Sequence, residues 1–395
     1  MGVPGLLDGL FRHEAGRITA TLVRIFGPEH LDLAEDVVQE ALLKALRTWP
    51  YQGVPDVPVA WITQVAKNAA LDRLRKQSTL RPLEEGSVEF DERTTIEDSL
   101  ELLVRCCHPS LSPEAQAAIV LKTLCGFSTV EIARAFLISE PTAAQRIVRA
   151  KAKLREERFD RQTCGREELQ ARMDSVLRCL YLMFNEGYAS TDGEDMIRRD
   201  LCDDAIRLAR WIVHRPDSSP RTCALVALML FLRARFDART DAGGAMVPLS
   251  EQRSQLWDAK LTGEAFVYFA ASIEGDEEGE FHLQAAIAAE HATGSDWHRI
   301  VRLYERLASL APNPVVSLNA AIALGMAHGP DCGLDALVPL ENALNESRHF
   351  HAARAFFLER AGRTDESRSA LKTALERPGS EPERAYLEVW RSRLL

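Results

Sequence analysis

The stretch FSTVEIARAFLISEPTAAQRIVRAKAKLR, residues 127–155, indicates two short helices joined by a tight turn. Ser128 and Glu131 have the S-x-x-E spacing of a capping box, which predicts that the first helix begins directly after the serine. The letters FLI then form the turn, Ser139 is suited to cap the second helix, and Pro141 falls in its first turn, where a missing N–H costs least. Two helices joined in this way predict a helix-turn-helix, whose second helix can enter the major groove of DNA.

The second helix of this stretch has an apolar face and a basic outer face. Helical spacing directs four positions to a core, namely Ala144, Ile147, Ala150 (or Lys151) and Leu154. The outer face then carries Thr142, Gln145, Arg146, Arg149 and Lys153. Arginine can bond guanine, glutamine can bond adenine, and lysine neutralises phosphate, so this face is suited to reading a duplex. A basic, solvated helix in a bundle would have the same composition, and the motif alone leaves both readings open.

Aromatic and cationic residues surround a predicted loop further upstream. Helices are predicted over residues 6–27, 31–48 and about 59–76, with the loop PYQGVPDVP between the second and the third. Near this loop lie Trp49, Tyr51, Trp61, Lys67, Asn68, Arg73, Arg75 and Lys76. This combination suits melted nucleic acid, because bases stack on aromatic rings and cations neutralise phosphates. Trp61 fits a core position equally well, and the acidic segment DLAEDVVQE (residues 32–40) is better suited to a protein partner.

The composition limits the class of protein. The 395 residues are 46% hydrophobic with a mean hydropathy of -0.16, which is typical of globular proteins. The longest apolar run, residues 223–232, is about half the length of a membrane span, and the N-terminus lacks an export leader, so we expect a cytoplasmic protein without membrane contact. The eight cysteines are predicted to be free thiols, and the adjacent Cys106, Cys107 and His108 lack the spacing of a zinc site. No catalytic motif is found, so neither an enzyme nor a metal or cofactor is expected.

The net charge of -10 is unevenly distributed. Residues 1–162 hold 21 basic and 23 acidic side chains, and the remaining residues hold 27 and 35. Residues 83–101 contain eight acidic residues and a single basic one, Arg93, with poor periodicity. We therefore predict an extended acidic linker there, followed by a second compact unit from about residue 99 to residue 159.

Beyond about residue 165 the sequence stays helical and shows a repeat. Apolar residues recur every 34 residues in three sets: Leu303, Leu337 and Leu371; Ile287, Ala321 and Ala355; Ala288, Ile322 and Phe356. Gly294, Gly329 and Gly362 follow at nearly the same interval, between predicted helix pairs. A 34-residue helical unit is typical of tetratricopeptide repeats, while coincidence among alanine-rich helices is the alternative.

Three segments, in order, resemble the two conserved domains of extracytoplasmic-function sigma factors of the sigma-70 class. They are DLAEDVVQEALLKAL, AWITQVAKNAALDRLRK and LSPEAQAAIVLKTLCGFSTVEIARAFLISEPTAAQRIVRAKAKLR. The resemblance covers residues 6–80 and 99–158. Segments such as YLMFNEGYAS and ERAGRTDESRSALKTAL resemble the long C-terminal extension of a subgroup with a tetratricopeptide-like tail, most weakly over about 236–280.

The resemblance implies a dissociable RNA polymerase subunit with an all-α fold. It implies that core RNA polymerase binds Asp36, Gln39 and Glu40. It implies that the opened minus-ten element of promoter DNA binds Tyr51, Trp61, Lys67, Asn68, Arg73 and Lys76. It implies that the minus-thirty-five element binds Glu140, Thr142, Gln145, Arg146, Arg149 and Lys153. The tail is expected to bind a regulatory protein or peptide.

The expected organisation has five parts. They are a sigma region 2 domain (1–80), an acidic linker (81–98), a sigma region 4 helix-turn-helix domain (99–162), a helical connecting domain (163–280) and tetratricopeptide-like repeats (281–395). Two other functions fit the same residues. A one-component regulator with a sensor tail would bind duplex DNA without polymerase, and a tetratricopeptide adaptor would show no promoter dependence.

Overall fold

The computed structural model describes residues 3–77, 92–136, 138–156, 166–189, 197–215, 218–241, 243–274 and 278–394. Within these ranges helices dominate and no β-strand forms, apart from an isolated antiparallel bridge between Thr240 and Met246. The predicted all-α fold is therefore confirmed. None of the described helices has both the length and the apolar character that crossing a membrane requires.

The chain divides into two compact units, residues 1–183 with 203–208 and residues 184–202 with 209–395. The first unit contains α1 (Val3–Phe26), α2 (Leu31–Gln52), α3 (Pro58–Gln77), α4 (Glu92–Cys106), α5 (Pro113–Thr123), α6 (Thr129–Ala135) and α7 (Glu140–Glu156). A 3-10 turn, Pro28–His30, lies between α1 and α2. Two further helices, α8 (Arg166–Tyr188) and α9 (Arg199–Val213), contribute residues to both units.

The second helix, α2, packs through an apolar face with a period of three to four residues. Its buried positions are Leu31, Ala34, Val37, Val38, Ala41, Leu42, Ala45 and Trp49. The helix continues through Pro50 to Gln52, so its last turn occupies part of the predicted loop. This extension has a packing cause, because Trp49 is buried and its ring lies edge-to-face on that of Trp61, 5.5 Å away. Gly53, at φ 84°, then ends the helix.

The fourth helix begins at Glu92, inside the segment predicted as linker. Its Asp98 is only 4% exposed. The Asp98 carboxylate accepts a hydrogen bond from Thr21 Oγ1 at 2.9 Å and pairs with Arg24 Nε at 2.6 Å. Partners on α1 therefore explain why an acidic residue is buried in α4. These partners are more than 70 residues away in sequence. The composition of residues 92–98 could not reveal them, and it therefore suggested a solvated tether.

The helix-turn-helix forms as predicted, with one difference in helix rotation. Ser128 and Glu131 make both hydrogen bonds of the capping box, and α6 follows directly. On α7 the buried positions are Ala143, Ile147 and Ala150. Ala144, which was predicted to face the core, is only half-buried. The rotation places Ala143 inside because α5 and α6 both pack on this face, and the local sequence pattern did not distinguish two adjacent alanines.

The second unit is built from helix pairs. Its helices are α10 (Pro220–Arg233), α11 (Ala259–Ser272), α12 (Glu280–Thr293), α13 (Trp297–Leu310), α14 (Pro314–His328), α15 (Pro330–Leu337), α16 (Glu341–Leu344), α17 (Arg348–Arg360), α18 (Thr364–Glu376) and α19 (Glu381–Arg393). Three 3-10 turns, Phe236–Ala238, Leu249–Glu251 and Ser254–Leu256, lie between α10 and α11, and a fourth, Val338–Leu340, precedes α16. Most of α10 is buried, which accounts for its continuous apolar sequence.

The 34-residue repeat of the sequence corresponds to a repeat of helix starts. Within residues 278–394, α12, α14 and α17 begin at residues 280, 314 and 348, so each start follows the previous one by 34 residues. Gly294, Gly329 and Gly362 have φ values of 129°, 107° and 75° and lie where the first helix of each pair ends. Left-handed backbone favours glycine, so the repeated glycines are explained by these turns.

Candidate nucleic-acid interface

The predicted duplex-reading face of α7 is largely exposed to solvent. Glu140, Thr142, Gln145, Arg149 and Lys153 are exposed, and Arg146 is half-exposed. Lys153 Nζ donates a hydrogen bond to the carbonyl oxygen of Ser110 at 2.8 Å. Arg149 makes no hydrogen bond or ion pair with any described residue, so its guanidinium is available to a base or phosphate.

The turn of the motif orients Arg146. The Arg146 guanidinium carbon lies 5.4 Å from the centre of the Phe136 ring, a cation–π geometry that limits the side chain to one direction. In the same turn, Ser139 Oγ and Thr142 Oγ1 are 2.7 Å apart. Phe136 was not among the predicted site residues, although its position beside the turn of a helix-turn-helix could have identified it. The side chains of Thr142 and Arg146 on α7 are thus held by contacts with residues of the preceding turn.

The last turn of α2, next to the loop that precedes α3, presents a highly exposed aromatic ring. Tyr51 is 90% exposed, with Val57 exposed nearby, whereas Trp61 is half-buried against Trp49. On α3, Asn68 is exposed and its Oδ1 accepts a hydrogen bond from Gln64 Nε2 at 2.9 Å. An exposed ring is a surface on which an unpaired base can stack, and an exposed amide can hydrogen-bond a base edge.

Two of the cations on α3 that were predicted to contact phosphates are either buried or paired with carboxylates. Lys67 is only 7% exposed, so a phosphate contact would require its surroundings to move. Arg73 pairs with Glu40 and lies 3.9 Å from Asp36 Oδ2, on the acidic face of α2. Lys76, by contrast, is exposed. Arg73, which was predicted to contact the minus-ten element, therefore lies against Asp36 and Glu40, which were predicted to bind polymerase.

The acidic face of α2 continues into an apolar patch. Asp36, Gln39 and Glu40 are exposed, and one turn further along the same helix Leu43 and Leu46 are 52% and 42% exposed. A leucine pair exposed next to acidic residues is typical of a protein-binding surface rather than of a nucleic-acid surface. Sequence reasoning missed both leucines, although Leu43 lies three residues after Glu40 and Leu46 three residues after Leu43, a spacing that would have placed both on this face.

The described residues contain no group of histidine, cysteine, aspartate or glutamate side chains arranged to hold a metal ion. Cys107 Sγ lies 3.7 Å from Cys179 Sγ, and all described cysteines are free. Burial raises the pKa of the Cys106 thiol to about 12, and burial likewise raises the pKa of Cys107. Neutral, covered thiols pack as small apolar side chains and are poor nucleophiles.

Three protein-family models match consecutive parts of the chain. Sigma-70 region 2 matches residues 10–79, sigma-70 region 4 matches residues 101–154, and a family of unknown function, DUF6596, matches residues 172–273. The two sigma matches contain the acidic helix, the aromatic loop and the helix-turn-helix described above. The third match begins in α8 and ends one residue after α11.

The chain is also similar to individual proteins. It is 36% identical over 386 residues to an uncharacterized protein of Rhizobium meliloti (strain 1021), which covers 93% of this chain and 91% of that protein. It is 31% identical over 123 residues to the ECF RNA polymerase sigma factor SigM of Mycobacterium tuberculosis and 29% identical over 160 residues to SigE of Mycolicibacterium smegmatis. These alignments span 62% and 60% of the two sigma factors, and 31% and 38% of this chain. No solved structure matches the chain significantly.

Proposed function

The chain belongs to the extracytoplasmic-function sigma factors of the sigma-70 class, and on that premise we propose that it directs core RNA polymerase to specific promoters and helps to open them. Its region 4 is followed by a DUF6596 domain and by helix pairs. We propose that this C-terminal half is a tetratricopeptide-like regulatory extension.

One observation carries the proposal. A single chain combines a helix-turn-helix whose second helix exposes Gln145 and Arg149 with an acidic helix that exposes Asp36 and Glu40. The first surface has the chemistry of a DNA contact, and the second would repel phosphates. Together they suit a protein that holds DNA while it is attached to another protein. The net charge of -10 favours the same conclusion, because free binding through phosphate neutralisation would be weak.

In this function α7 lies in the major groove at the minus-thirty-five element. Arg149 and Gln145 reach base edges, Arg146 is aligned by Phe136, and Lys153 neutralises a phosphate. Thr142 and Glu140, at the start of the helix, complete the reading set. Ala143 and Ala144 leave few long side chains on this part of α7, so base specificity depends on the residues named above.

At the minus-ten element, an opened base stacks on Tyr51 in the last turn of α2. Asn68 and Lys76 supply amide and phosphate contacts along α3, and Trp61 supports the loop from beneath. Extruding a base costs a few kcal/mol, which stacking and phosphate contacts together offset. Lys67 and Arg73 act mainly by holding α3 against its surroundings.

Core polymerase binds the acidic face of α2 in this proposal. Asp36, Gln39 and Glu40 form its polar part, and Leu43 and Leu46 add an apolar part that gains free energy when it is covered. Arg73 orders Glu40 in the free protein.

The C-terminal helix pairs are proposed to bind a regulatory protein or peptide. The regular starts of α12, α14 and α17 support a stacked array, in which each pair buries its apolar face on the next. Deletion of residues 165–395 should change polymerase binding or promoter activity. An unaltered transcription profile would contradict a regulatory role.

In vitro transcription with purified core polymerase tests the proposed function directly. We expect promoter-dependent transcripts only when the protein is added to core enzyme. The R149A variant should lose roughly 5- to 150-fold in promoter selectivity, since one good base contact contributes about 1–3 kcal/mol. R302A serves as a matched control, because Arg302 is an exposed arginine on α13. Specific binding to duplex without polymerase would favour a one-component regulator, and an absence of promoter dependence would favour an adaptor.

A further inference from the structure

We propose that the exposed face of α11 binds the same face of a second copy of this chain, so that the protein forms a two-fold homodimer through its second unit. The two α11 helices cross antiparallel at Val267, and Lys260 of each copy pairs with Glu274 of the other. None of the residues predicted to bind DNA or polymerase belongs to this face, and the inference does not depend on the proposed function.

Helix α11 is apolar in sequence and yet largely uncovered. Its sequence, AKLTGEAFVYFAAS, contains two charged residues, but only Ala265 and Ser272 of its 14 residues are buried. The similarly apolar α10 has nine of its 14 residues buried. A helix that is apolar on most sides is normally covered, because apolar surface in water is unfavourable. We therefore expect α11 to have a partner.

One side of α11 already packs within the second unit. Ala265 and Ser272 lie seven residues apart, on the same side of the helix. At the flank of this side, the Phe266 ring lies edge-to-face on that of Phe231 in α10, with 4.9 Å between the ring centres. The side that faces away from α10 is therefore the one on which a second molecule can bind.

The exposed face of α11 allows another helix to approach closely. At 100° per residue, the face opposite Ala265 is centred near Val267, whose side chain is 68% exposed. Gly263 lies one turn before Val267 and Ala271 one turn after it, and both are exposed. A Cβ atom at Gly263 would meet no atom within 4 Å, so the surface there is open. In an antiparallel pair that crosses at Val267, Gly263 of each copy faces Ala271 of the other, and the two valines pack side by side.

The charges at the two ends of this face are complementary to themselves. Lys260 lies seven residues before Val267, and Glu274 lies seven residues after it, just beyond the end of the helix. A two-fold axis at Val267 therefore places Lys260 of each copy opposite Glu274 of the other. A parallel pair would instead place the two lysines together. The charge pattern thus favours a second copy of this chain, in the antiparallel orientation, as the partner.

Both charges are available for this contact. Lys260 and Glu274 are exposed, and neither makes a hydrogen bond or an ion pair with another residue in the described part of the chain. Glu264, which lies four residues after Lys260, pairs with Arg210 at 2.6 Å. The nearest carboxylate on the same helix is therefore engaged elsewhere, and Lys260 can turn toward a second molecule.

The length of α11 sets the strength of the dimer. A helix of 14 residues is about 21 Å long at about 1.5 Å per residue. One pair of helices of this length buries less than the roughly 800 Å² per partner of a standard protein interface. We therefore expect a reversible dimer with a dissociation constant on the order of 10 µM.

Sedimentation equilibrium of the full chain, over about 1 to 200 µM, measures the dimer. The average molar mass should rise with concentration from 44.0 kDa toward twice that value. V267E should raise the dissociation constant about tenfold or more, because it places two carboxylates together at the crossing point. V389E is the matched control, since Val389 is a 50% exposed valine on α19, and it should change the dissociation constant by less than about threefold.

Charge reversal tests the antiparallel register. K260E and E274K should each raise the dissociation constant about fivefold to tenfold at low salt, because both symmetric contacts change from attraction to repulsion. An equimolar mixture of K260E and E274K should associate within about threefold of the wild type, because each contact between the two different chains then joins opposite charges. This recovery also shows that both variants are folded.

Three results would overturn the proposal. A molar mass of 44.0 kDa at every concentration would leave the exposed face of α11 to a partner other than this chain. A dimer that V267E left as stable as the wild type would have its interface elsewhere. A mixture of K260E and E274K that associated no better than either variant alone would exclude the antiparallel register. Polymerase and DNA are absent from all these measurements, so their outcome is independent of the transcription assay.

Discussion

Replacement of Gly16 by alanine tests the close packing of α1 on the end of α5. Gly16 is in the interior of α1, where alanine is normally about 1 kcal/mol more favourable than glycine. In the folded protein, however, the new Cβ would lie 2.8 Å from Leu124 Cα and closer still to the Leu124 carbonyl oxygen. Overlap with backbone is not relieved by a rotamer change, and overpacking of this kind costs about 3 kcal/mol or more. We therefore expect G16A to destabilise the first unit by about 2 kcal/mol.

The assay is amide hydrogen exchange in α1 and α5, because it reports on one unit without requiring the whole chain to unfold in a single step. A loss of about 2 kcal/mol corresponds to roughly 30-fold faster exchange through global opening. G263A is the matched control, since Gly263 is in the interior of α11 and a Cβ there meets no atom within 4 Å. That variant should slow exchange in α11, in keeping with a gain of about 0.5–1 kcal/mol. Slower exchange in α1 of G16A would show that the two helices do not pack as described.

Two further predictions concern the partners of acidic side chains. D98A should destabilise the first unit by about 2–3 kcal/mol, because it leaves Thr21 Oγ1 without an acceptor, whereas D98N keeps an acceptor and should cost less; equal losses in urea denaturation would contradict this reading. In the second unit, the contact between His349 and Glu383 should be most stable between about pH 4.5 and 6.5. Burial by itself would raise the pKa of Glu383, but the hydrogen bond and the charge of His349 lower that pKa to about 2. The stability contributed by the Glu383 carboxylate is therefore lost as the pH falls from 4.5 through that value. The same hydrogen bond raises the pKa of His349, so its contribution is present below pH 6.5 and lost as the pH rises through the raised value. Exchange in α19 of H349A should lose this upper limb, and a wild-type profile flat from pH 3 to 8 would argue against the pair.

Much of the candidate DNA-binding motif could be predicted because its determinants are local. Ser128 and Glu131 of the capping box lie three residues apart, and Pro141 acts on the first turn of the helix that contains it, so the local sequence encodes both features directly. The remaining site geometry could not be predicted in the same way. Phe136 orients Arg146, and Arg73 lies against Glu40, through contacts that depend on how helices rotate and pack.

The sequence by itself determined the helical fold, the order of the sigma regions and the 34-residue spacing of the C-terminal helix starts. These features follow from periodicity and from glycines that permit left-handed turns, and both are properties of contiguous residues. Only the tertiary structure decided which charges are buried. Asp98 contacts Thr21 of α1 across 77 residues, and Lys151 contacts Asp32 across 119 residues. In the sequence such charged residues indicate solvent exposure, because their partners become visible only in the folded chain.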